Sequence, residues 1–338
     1  MTSPKFIVIG SNSFSGSHFV SEALKLGFEV YGISRSEESL PVFLPYRWEE
    51  GRKDPQIIKK FHFQKIDLNQ DLKKLIELVD FAKPSHIINF AAQGMVAQSW
   101  QNPTHWYQTN VLSQVALHDE LRKREFLEKY VHVTTPEVYG NTDNNWIKED
   151  HKFSPSTPYA VSRAACDMHL KSFYDAYGFP VVFTRSANVY GPGQQLYRII
   201  PRTILSGLSL EKLNLHGGGN SIRSFIHISD VVNATLKLAL NASPGTSWHL
   251  STNDSISIKD LVRKICSKME VEFDAFVEST DERLGKDQSY LLDSSSIRKE
   301  FNWKEKISLS DGINQTIDWV NRNYKLLYNE PWDYVHKL

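Results

Sequence analysis

The fold of this chain is decided by residues 5–16, which read KFIVIGSNSFSG. Lys5 to Ile9 is a short run rich in isoleucine and valine, and Gly10 to Gly16 separates it from a segment of helical period that ends at Leu26. This order predicts a strand, a tight turn and a helix. Glycine is needed where the backbone turns sharply and where a helix N-terminus must approach a phosphate group.

Strands and helices alternate through the first half of the chain. Further strands are predicted at residues 29–33, 62–66, 86–90, 130–133 and 181–185, and helices at 17–26, 72–81, 107–123 and 159–177. Such alternation is typical of a parallel sheet with helices on both faces. We therefore expect an α/β fold with a Rossmann-type, doubly wound parallel sheet.

The texture of the sequence changes beyond Tyr190. Segments become short and mixed, with turns at residues 217–219 and 243–245. We predict a dinucleotide-binding domain at residues 1–190, to which some later elements return. A smaller C-terminal α/β domain at residues 191–338 would mainly bind substrate.

The composition excludes several classes of function. The 338 residues carry 39 basic and 39 acidic side chains, which leaves no electrostatic footprint for nucleic acid or an anionic membrane. No apolar run approaches about 18 residues, so we expect no membrane span. Met1 to Gly10 has no secretory pattern, and Cys166 and Cys266 have no CxxC spacing. We expect a cytoplasmic protein with reduced thiols and without a metal site.

The first turn and the end of the second strand predict the cofactor. The contacts expected from the turn are Gly10, Asn12, Ser13, Phe14 and Gly16, with Ser13 near the usual third glycine. The second strand ends Ser34-Arg35-Ser36, where a carboxylate for the adenosine ribose would normally stand. An arginine flanked by serines suits a 2′-phosphate, because guanidinium binds it with two donors. We therefore favour NADP(H), while Glu37 and Glu38 nearby leave NAD(H) open.

Two further clusters predict catalysis. Thr135 and Glu137 follow the strand at residues 130–133, at the edge where parallel sheets bind ligands. Tyr159 and Arg163 stand four residues apart and so share one face of the next helix. A cation beside the phenol can lower its pKa, which lets the phenolate take a proton from a sugar hydroxyl.

Several motifs give the chain a family resemblance over almost its whole length. They are Asn89-Phe90-Ala91-Ala92, Thr109-Asn110-Val111, Ser156-Thr157-Pro158-Tyr159, Asn188-Val189-Tyr190-Gly191-Pro192, Arg223-Ser224-Phe225-Ile226-His227 and residues 281–287, DERLGKD. In their order and spacing the chain resembles the extended short-chain dehydrogenase/reductases. Within these it resembles the nucleotide-sugar 4,6-dehydratases of the dTDP-glucose and GDP-mannose types.

The resemblance implies a role for each site residue. Tyr159 would deprotonate the sugar 4-OH as hydride leaves C4, Thr135 would share a hydrogen bond with that oxygen, and Glu137 would remove the C5 proton. The implied substrate contacts are Gln93, Asn188, Arg198, Arg223 and Arg283, the last four holding the nucleotide diphosphate. The implied further cofactor contacts are Asp67 and Leu68 at the adenine, Ala91, Ala92, and Tyr159 with Arg163.

Two departures from the family pattern keep other activities open. Arg163 stands where the family has lysine, and Pro136 stands where the dTDP-glucose enzymes have the aspartate that protonates the leaving 6-OH. Proline cannot donate a proton, so water, Glu137 or another group would have to do so. A 4-epimerase is the alternative, although epimerases need no carboxylate at Glu137. A decarboxylase and a non-catalytic nucleotide-sugar binding protein follow.

The resemblance also implies a homodimer. Apolar positions recur on the helices that begin near Asn110 and Tyr159. They are Val111, Val115 and Leu117 on the first helix and Ala164, Ala165 and Met168 on the second. Two copies of this pair could form a four-helix bundle between subunits, and two-fold dimers are the commonest symmetric assembly.

Overall fold

The computed structural model describes residues 4–48, 55–281 and 288–336. The strands are β1 (Lys5–Ile9), β2 (Glu29–Ser34), β3 (Phe61–Lys65), β4 (His86–Asn89), β5 (Lys129–Val133), β6 (Trp146–Ile147), β7 (Val181–Ser186), β8 (Asn188–Tyr190), β9 (Leu213–His216), β10 (Ile222–Arg223), β11 (Phe225–His227), β12 (Ser247–Leu250), β13 (Ile256–Ser257), β14 (Val277–Thr280) and β15 (Leu291–Leu292). The helices are α1 (Phe14–Lys25), α2 (Leu72–Ala82), α3 (Pro103–Tyr107), α4 (Ser113–Leu121), α5 (Pro158–Tyr177), α6 (Ile199–Ser209), α7 (Ile228–Asn241), α8 (Ile258–Met269), α9 (Ser295–Phe301) and α10 (Leu309–Tyr328).

A seven-stranded sheet forms the centre of the molecule. Its order is β12-β7-β5-β4-β1-β2-β3, and every neighbouring pair runs parallel. The strands are apolar on both faces because helices cover both faces. In β1, Phe6 and Val8 join the core under α1 and α7, while Ile7 and Ile9 join the core under α2, α4 and α5. The predicted Rossmann-type fold is confirmed.

The chain beyond Tyr190 builds a second core and also returns to the sheet. Helices α6, α8 and α10 pack together around Ile204, Ile265 and Ile313. Strand β12 forms the outer edge of the large sheet, and α7 covers it. The division near residue 190 stays a prediction. No helix within the described ranges is long and apolar enough to cross a membrane.

The helix predicted at residues 107–123 is interrupted. Between α3 and α4 the backbone forms a π-helical turn over Gln108–Leu112. Asn110 within this turn is fully buried, and its side chain bonds both the backbone of Gln93 (2.7 and 3.0 Å) and the hydroxyl of Ser162 (3.0 Å). These hydrogen bonds explain why the helix is interrupted here. A π turn brings the Asn110 side chain to its partners, which a regular helix would not do.

The prediction of the intersubunit face is wrong for two of its six side chains, whereas Met168 is exposed as predicted. Leu117 and Ala164 point into their own subunit and are buried there. The outward apolar side chains on the same two helical segments are Leu112, Val161 and Met168. Helical periodicity gives the number of apolar faces, but it does not tell which of them the sheet covers.

We predict opposite outcomes for two helical glycines. A Cβ on Gly312 in α10 would lie 2.2 Å from the hydroxyl oxygen of buried Tyr190, whereas a Cβ on Gly207 in α6 would first meet the mobile end of Met269 at 3.2 Å. Alanine improves helix propensity by roughly 1 kcal/mol, and overpacking costs about 1–3 kcal/mol. In urea titrations, Gly312→Ala should lower the free energy of unfolding and Gly207→Ala should preserve or raise it. Equal stabilities of the two variants would contradict this packing.

Candidate active site

The turn between β1 and α1 has the shape that a dinucleotide pyrophosphate requires. Gly10 has a positive φ of 82°, and a Cβ on Gly16 would lie only 2.2 Å from the carbonyl oxygen of Gly10. The Ser13 hydroxyl accepts from the backbone N–H of Gly16 at 3.1 Å and so caps α1. With Ser13 as its cap, α1 begins at Phe14, three residues before the helix that the sequence predicts. Phe14 is buried at the first helical position.

Asn12 ties this turn to the end of β2. Its backbone N–H donates to the Ser34 hydroxyl at 3.1 Å, and its amide donates to the carbonyls of Ser36 (3.1 Å) and Glu37 (3.0 Å). The sequence predicts cofactor contacts for Asn12, Ser34 and Ser36. In the structure these residues also hydrogen-bond to one another and so connect the turn to the end of β2. The bracing holds the phosphate-binding turn and the adenosine end at a fixed separation.

Arg35 reaches across the carboxyl edge of the sheet. Its Nη2 lies 3.5 Å from Oε1 of Gln93, which follows β4. Glu38 is engaged with Arg47 at 2.6 Å, and Glu37 lies 3.4 Å from Lys65. Both carboxylates that weigh against a 2′-phosphate thus have cationic partners other than Arg35.

The remaining predicted cofactor residues lie around the same edge. Asp67 accepts from the backbone N–H of Asn69 at 2.9 Å, so one carboxylate oxygen shapes the turn after β3. Leu68 is partly buried against the core, the Ala91 backbone N–H donates to Oδ1 of Asn89 at 2.9 Å, and Ala92 is exposed. An adenine could lie beside Leu68 only through apolar contact and backbone groups.

Thr135 and Glu137 form a compact pair just beyond β5. Pro136–Tyr139 is a single 3₁₀ turn, and Thr135 caps it by accepting from the Glu137 N–H at 3.4 Å. The Thr135 hydroxyl also donates to Oε2 of Glu137. Proline at the first helical position fixes φ and needs no N–H partner there. The turn therefore aims the Glu137 carboxylate into the cleft.

Tyr159 stands on the first turn of α5 beside this pair. Burial raises the pKa of Tyr159, and the charge of Glu137 raises it further, while Arg163, the hydrogen bond from Thr135 and Arg198 act in the lowering direction. Arg163 thus lowers the phenol pKa as the sequence predicts, but the net shift is upward. Burial and the neighbouring carboxylate outweigh the arginines.

Arg163, which stands where the family has lysine, is buried beneath Tyr159. The side chain is 2% exposed, and its Nη2 donates to the carbonyl of Val133 and lies 3.4 Å from Nε2 of His132. Its guanidinium is thus directed against β5 below Tyr159. From this position Arg163 acts on the phenol through charge, and its contact with a nicotinamide ribose stays a prediction.

The substrate side of the cleft contains a tyrosine that the sequence reasoning missed. Tyr290 donates to Oδ1 of Asn188 at 3.0 Å and to Oε1 of Glu137 at 3.4 Å, and the Arg223 guanidinium lies 4.2 Å from its ring centroid. Arg223 also donates to two backbone carbonyls, at 2.8 Å each. Tyr290 follows the DERLGKD motif by three residues, which was the available signal. Arg283 lies outside the described residues.

The C-terminal segment also reaches the cleft, and no sequence pattern predicts this. Trp332 is anchored under Arg202 (5.1 Å to the ring centroid), and Tyr334 contacts Tyr197 edge-on at 5.4 Å. His336 lies parallel to the Trp106 ring at 5.1 Å. It also approaches Nδ1 of His105 at 3.0 Å and the amide nitrogen of Gln93 at 3.3 Å. Gln93, a predicted substrate contact, thus joins the tail to Arg35.

The arrangement offers a base, a carboxylate and cations in one cleft. Tyr159, Thr135 and Glu137 lie together, and Tyr290 joins Glu137 to Asn188 and Arg223. The charge of Arg198 acts on Tyr159. Such a set can move protons at adjacent carbons of a bound diphosphate ester. Within the described ranges, no three histidine, cysteine or acidic side chains are grouped to hold a metal ion.

Known proteins share both the sequence and the fold. The family model for GDP-mannose 4,6-dehydratase matches residues 7–316. The dTDP-D-glucose 4,6-dehydratase of Bos taurus is 31% identical over 252 residues, which cover 73% of this chain and 70% of the relative. A trifunctional UDP-glucose 4,6-dehydratase of Arabidopsis thaliana is 29% identical over 95% of this chain, and the chain spans 48% of its length.

A solved structure extends the likeness to three dimensions. DesIV, a dTDP-glucose 4,6-dehydratase from Streptomyces venezuelae with NAD bound, superposes with a TM-score of 0.86 at 25% identity. The match covers 95% of this chain and 98% of that one. The family expected from the sequence motifs is confirmed: the chain belongs to the GDP-mannose 4,6-dehydratase family of nucleotide-sugar-modifying short-chain dehydrogenases/reductases.

Proposed function

We propose that the chain is a nucleotide-sugar 4,6-dehydratase. The observation that carries the proposal is the placement of Glu137 beside Tyr159, bridged by the Thr135 hydroxyl. The base for the 4-hydroxyl and the base for the C5 proton must be neighbours, because O4 and C5 are both bonded to C4. The family and its dehydratase relatives support the same activity.

Each side chain has one task in the proposed reaction. When bound at the turn over Gly10–Gly16, a nicotinamide dinucleotide would accept hydride from C4 and return hydride to C6. Tyr159 takes the proton of the 4-hydroxyl, and Thr135 holds that oxygen. The resulting 4-keto group acidifies C5, and Glu137 removes the C5 proton so that water can leave C6. Arg163 and Arg198 favour the phenolate of Tyr159 through charge.

The contacts of Glu137 also argue against a 4-epimerase, which is the main alternative. A 4-epimerase has no proton to remove at C5, yet Glu137 is aimed into the cleft and held by Thr135 and Tyr290. The broad test is mass spectrometry of UDP-glucose, dTDP-glucose, GDP-mannose and UDP-glucuronic acid after incubation with the protein. A loss of water from one of them is expected. Unchanged mass with inverted C4 would identify an epimerase, loss of carbon dioxide from a glucuronate a decarboxylase, and binding without turnover a binding protein.

Glu137 gives the sharpest prediction for the reaction itself. Glu137→Gln keeps the shape and removes the base, which is typically worth about 10² to 10⁴ in rate. The variant should bind dinucleotide but lose dehydration and lose deuterium exchange at C5 in heavy water. A transient absorbance of reduced nicotinamide should remain, because oxidation at C4 depends on Tyr159. The exposed Glu125→Gln is the matched control, and near-normal product release by Glu137→Gln would rule the assignment out.

We also propose that NADP(H) is preferred over NAD(H). No carboxylate follows β2 at the Arg35 position, and Glu37 and Glu38 have their own cations. Titration with both cofactors should show tighter binding of the 2′-phosphorylated form. Arg35→Asp should make NAD(H) bind more tightly than NADP(H). The change replaces a cation that can bind the 2′-phosphate by a carboxylate that can bind the ribose 2′-hydroxyl. The exposed Arg322→Asp should preserve the preference, and equal affinities in the unaltered protein would refute the proposal.

A homodimer through the α4 and α5 layer is the proposed assembly. Leu112, at the end of the π turn before α4, and Met168 on α5 are 59% and 58% exposed, and a partner subunit packed on this layer would cover both. Sedimentation should give twice the 38.8 kDa chain mass. The double substitution Leu112→Asp with Met168→Asp should shift it to the single-chain mass, whereas Leu210→Asp, at a site 63% exposed on the end of α6, should not. A single-chain mass for the unaltered protein at micromolar concentration would exclude the dimer.

A further inference from the structure

The elimination needs a proton donor that residue 136 cannot supply. When the C5–H and C6–O bonds break, hydroxide is a poor leaving group unless an acid protonates it. Pro136 has no titratable group, and it is buried in the 3₁₀ turn. The donor is therefore Glu137 itself, water or another side chain, and it must act one carbon–carbon bond from the place where Glu137 removes the C5 proton.

Tyr290 has the required position. Its hydroxyl lies 3.4 Å from Oε1 of Glu137 and bonds Oδ1 of Asn188 at 3.0 Å. The side chain is 8% exposed, so its proton is not shared freely with bulk water. Thr135, the other hydroxyl at Glu137, donates to the opposite carboxylate oxygen and faces Tyr159 instead. The two hydroxyls thus flank the carboxylate from two sides, one toward O4 and the other toward the substrate residues.

Tyr290 is held in place from two sides. The Arg223 guanidinium lies 4.2 Å from the ring centroid and is fixed there by the carbonyls of Ile222 and Gln288. Oδ1 of Asn188 accepts from the Tyr290 hydroxyl at 3.0 Å. These contacts fix the hydroxyl beside Glu137, which is the position that a proton donor to the C6 oxygen requires.

We propose that Tyr290 is the general acid that protonates the departing C6 hydroxyl, an inference that rests on the proposed dehydratase activity. The C5–H bonding pair becomes the C5–C6 double bond while the proton passes to Glu137. The C6–O bonding pair leaves with oxygen, which takes the Tyr290 proton and departs as water. Glu137 later returns its proton to C5. Tyr290 regains a proton from solvent, and Tyr159 releases the O4 proton to solvent, so the cycle closes.

The competing assignment gives both proton transfers to Glu137. In that scheme Glu137, once it has taken the C5 proton, would pass a proton to the C6 oxygen, and Tyr290 would only orient the carboxylate. Tyr290→Phe separates the two schemes, because it keeps the ring under Arg223 and removes only the hydroxyl. Its effect depends on whether the leaving group needs a proton.

The experiment compares two leaving groups. The substrates are UDP-glucose, dTDP-glucose and GDP-mannose, each beside its 6-deoxy-6-fluoro analogue, in which fluoride departs without a proton. With Tyr290→Phe, kcat for the hydroxyl substrate should fall by roughly 10² or more, the range for a lost general acid. Fluoride release should stay close to that of the unaltered enzyme. Substrate recovered from heavy water should carry deuterium at C5, the opposite of Glu137→Gln.

Controls and outcomes keep the two hypotheses apart. Tyr328→Phe removes a hydroxyl that bonds Glu211 at 3.1 Å on the surface, and it should change neither rate. Equal losses on both leaving groups would overturn the proposal, since they indicate a positioning role. An unchanged kcat on the hydroxyl substrate would overturn it as well and would favour Glu137 as the acid. If the unaltered protein dehydrates none of the sugars, the proposed function fails, and not the assignment of Tyr290 alone.

Discussion

The close approach of backbone to backbone at the β1–α1 turn is the constraint on which the rest of the site depends. The Gly10 carbonyl and the Gly16 Cα are so close that a Cβ would lie 2.2 Å from the oxygen. This contact starts α1 at Phe14 and points its N-terminus at the carboxyl edge of the sheet, where phosphate is favoured. Asn12 then fixes the end of β2 to the same turn through three hydrogen bonds. The distance between the two halves of a dinucleotide is set by these contacts.

The Glu137 carboxylate has the same central place for the chemistry. One of its oxygens receives the Thr135 hydroxyl and the other the Tyr290 hydroxyl, so two donors come from segments more than 150 residues apart in the chain. Pro136 fixes the conformation of the turn that carries Glu137, and it contributes no second acidic side chain beside the carboxylate. The Tyr290 proposal gives the role that an aspartate fills elsewhere in the family to a residue from a distant segment, which periodicity and spacing do not reveal.

The sequence predicts the features that depend on neighbouring residues and misses those that depend on contacts between distant segments. The strand, turn and helix at residues 5–26, the alternation that follows, and the pair Tyr159 and Glu137 are local patterns, and they predict the sheet and the reacting end. Three features were out of reach. The π turn at Asn110 depends on partners at Gln93 and Ser162. The C-terminal tail meets Gln93 through His336, and Arg163 donates to the carbonyl of Val133 in β5. Each depends on a contact between distant segments, for which spacing carries no signal.

The sign of the Tyr159 pKa shift links the two proton transfers in time. The Glu137 carboxylate raises the pKa of the phenol, after the larger effect of burial, whereas Arg163 and Arg198 oppose both. Once Glu137 has taken the C5 proton it is neutral, and its part of the shift disappears. Tyr159, which by then holds the O4 proton, is left with the two arginines and becomes more acidic than before. The carboxylate that removes the second proton therefore favours release of the first. This coupling requires the two groups to be neighbours, and Thr135 between them keeps them so.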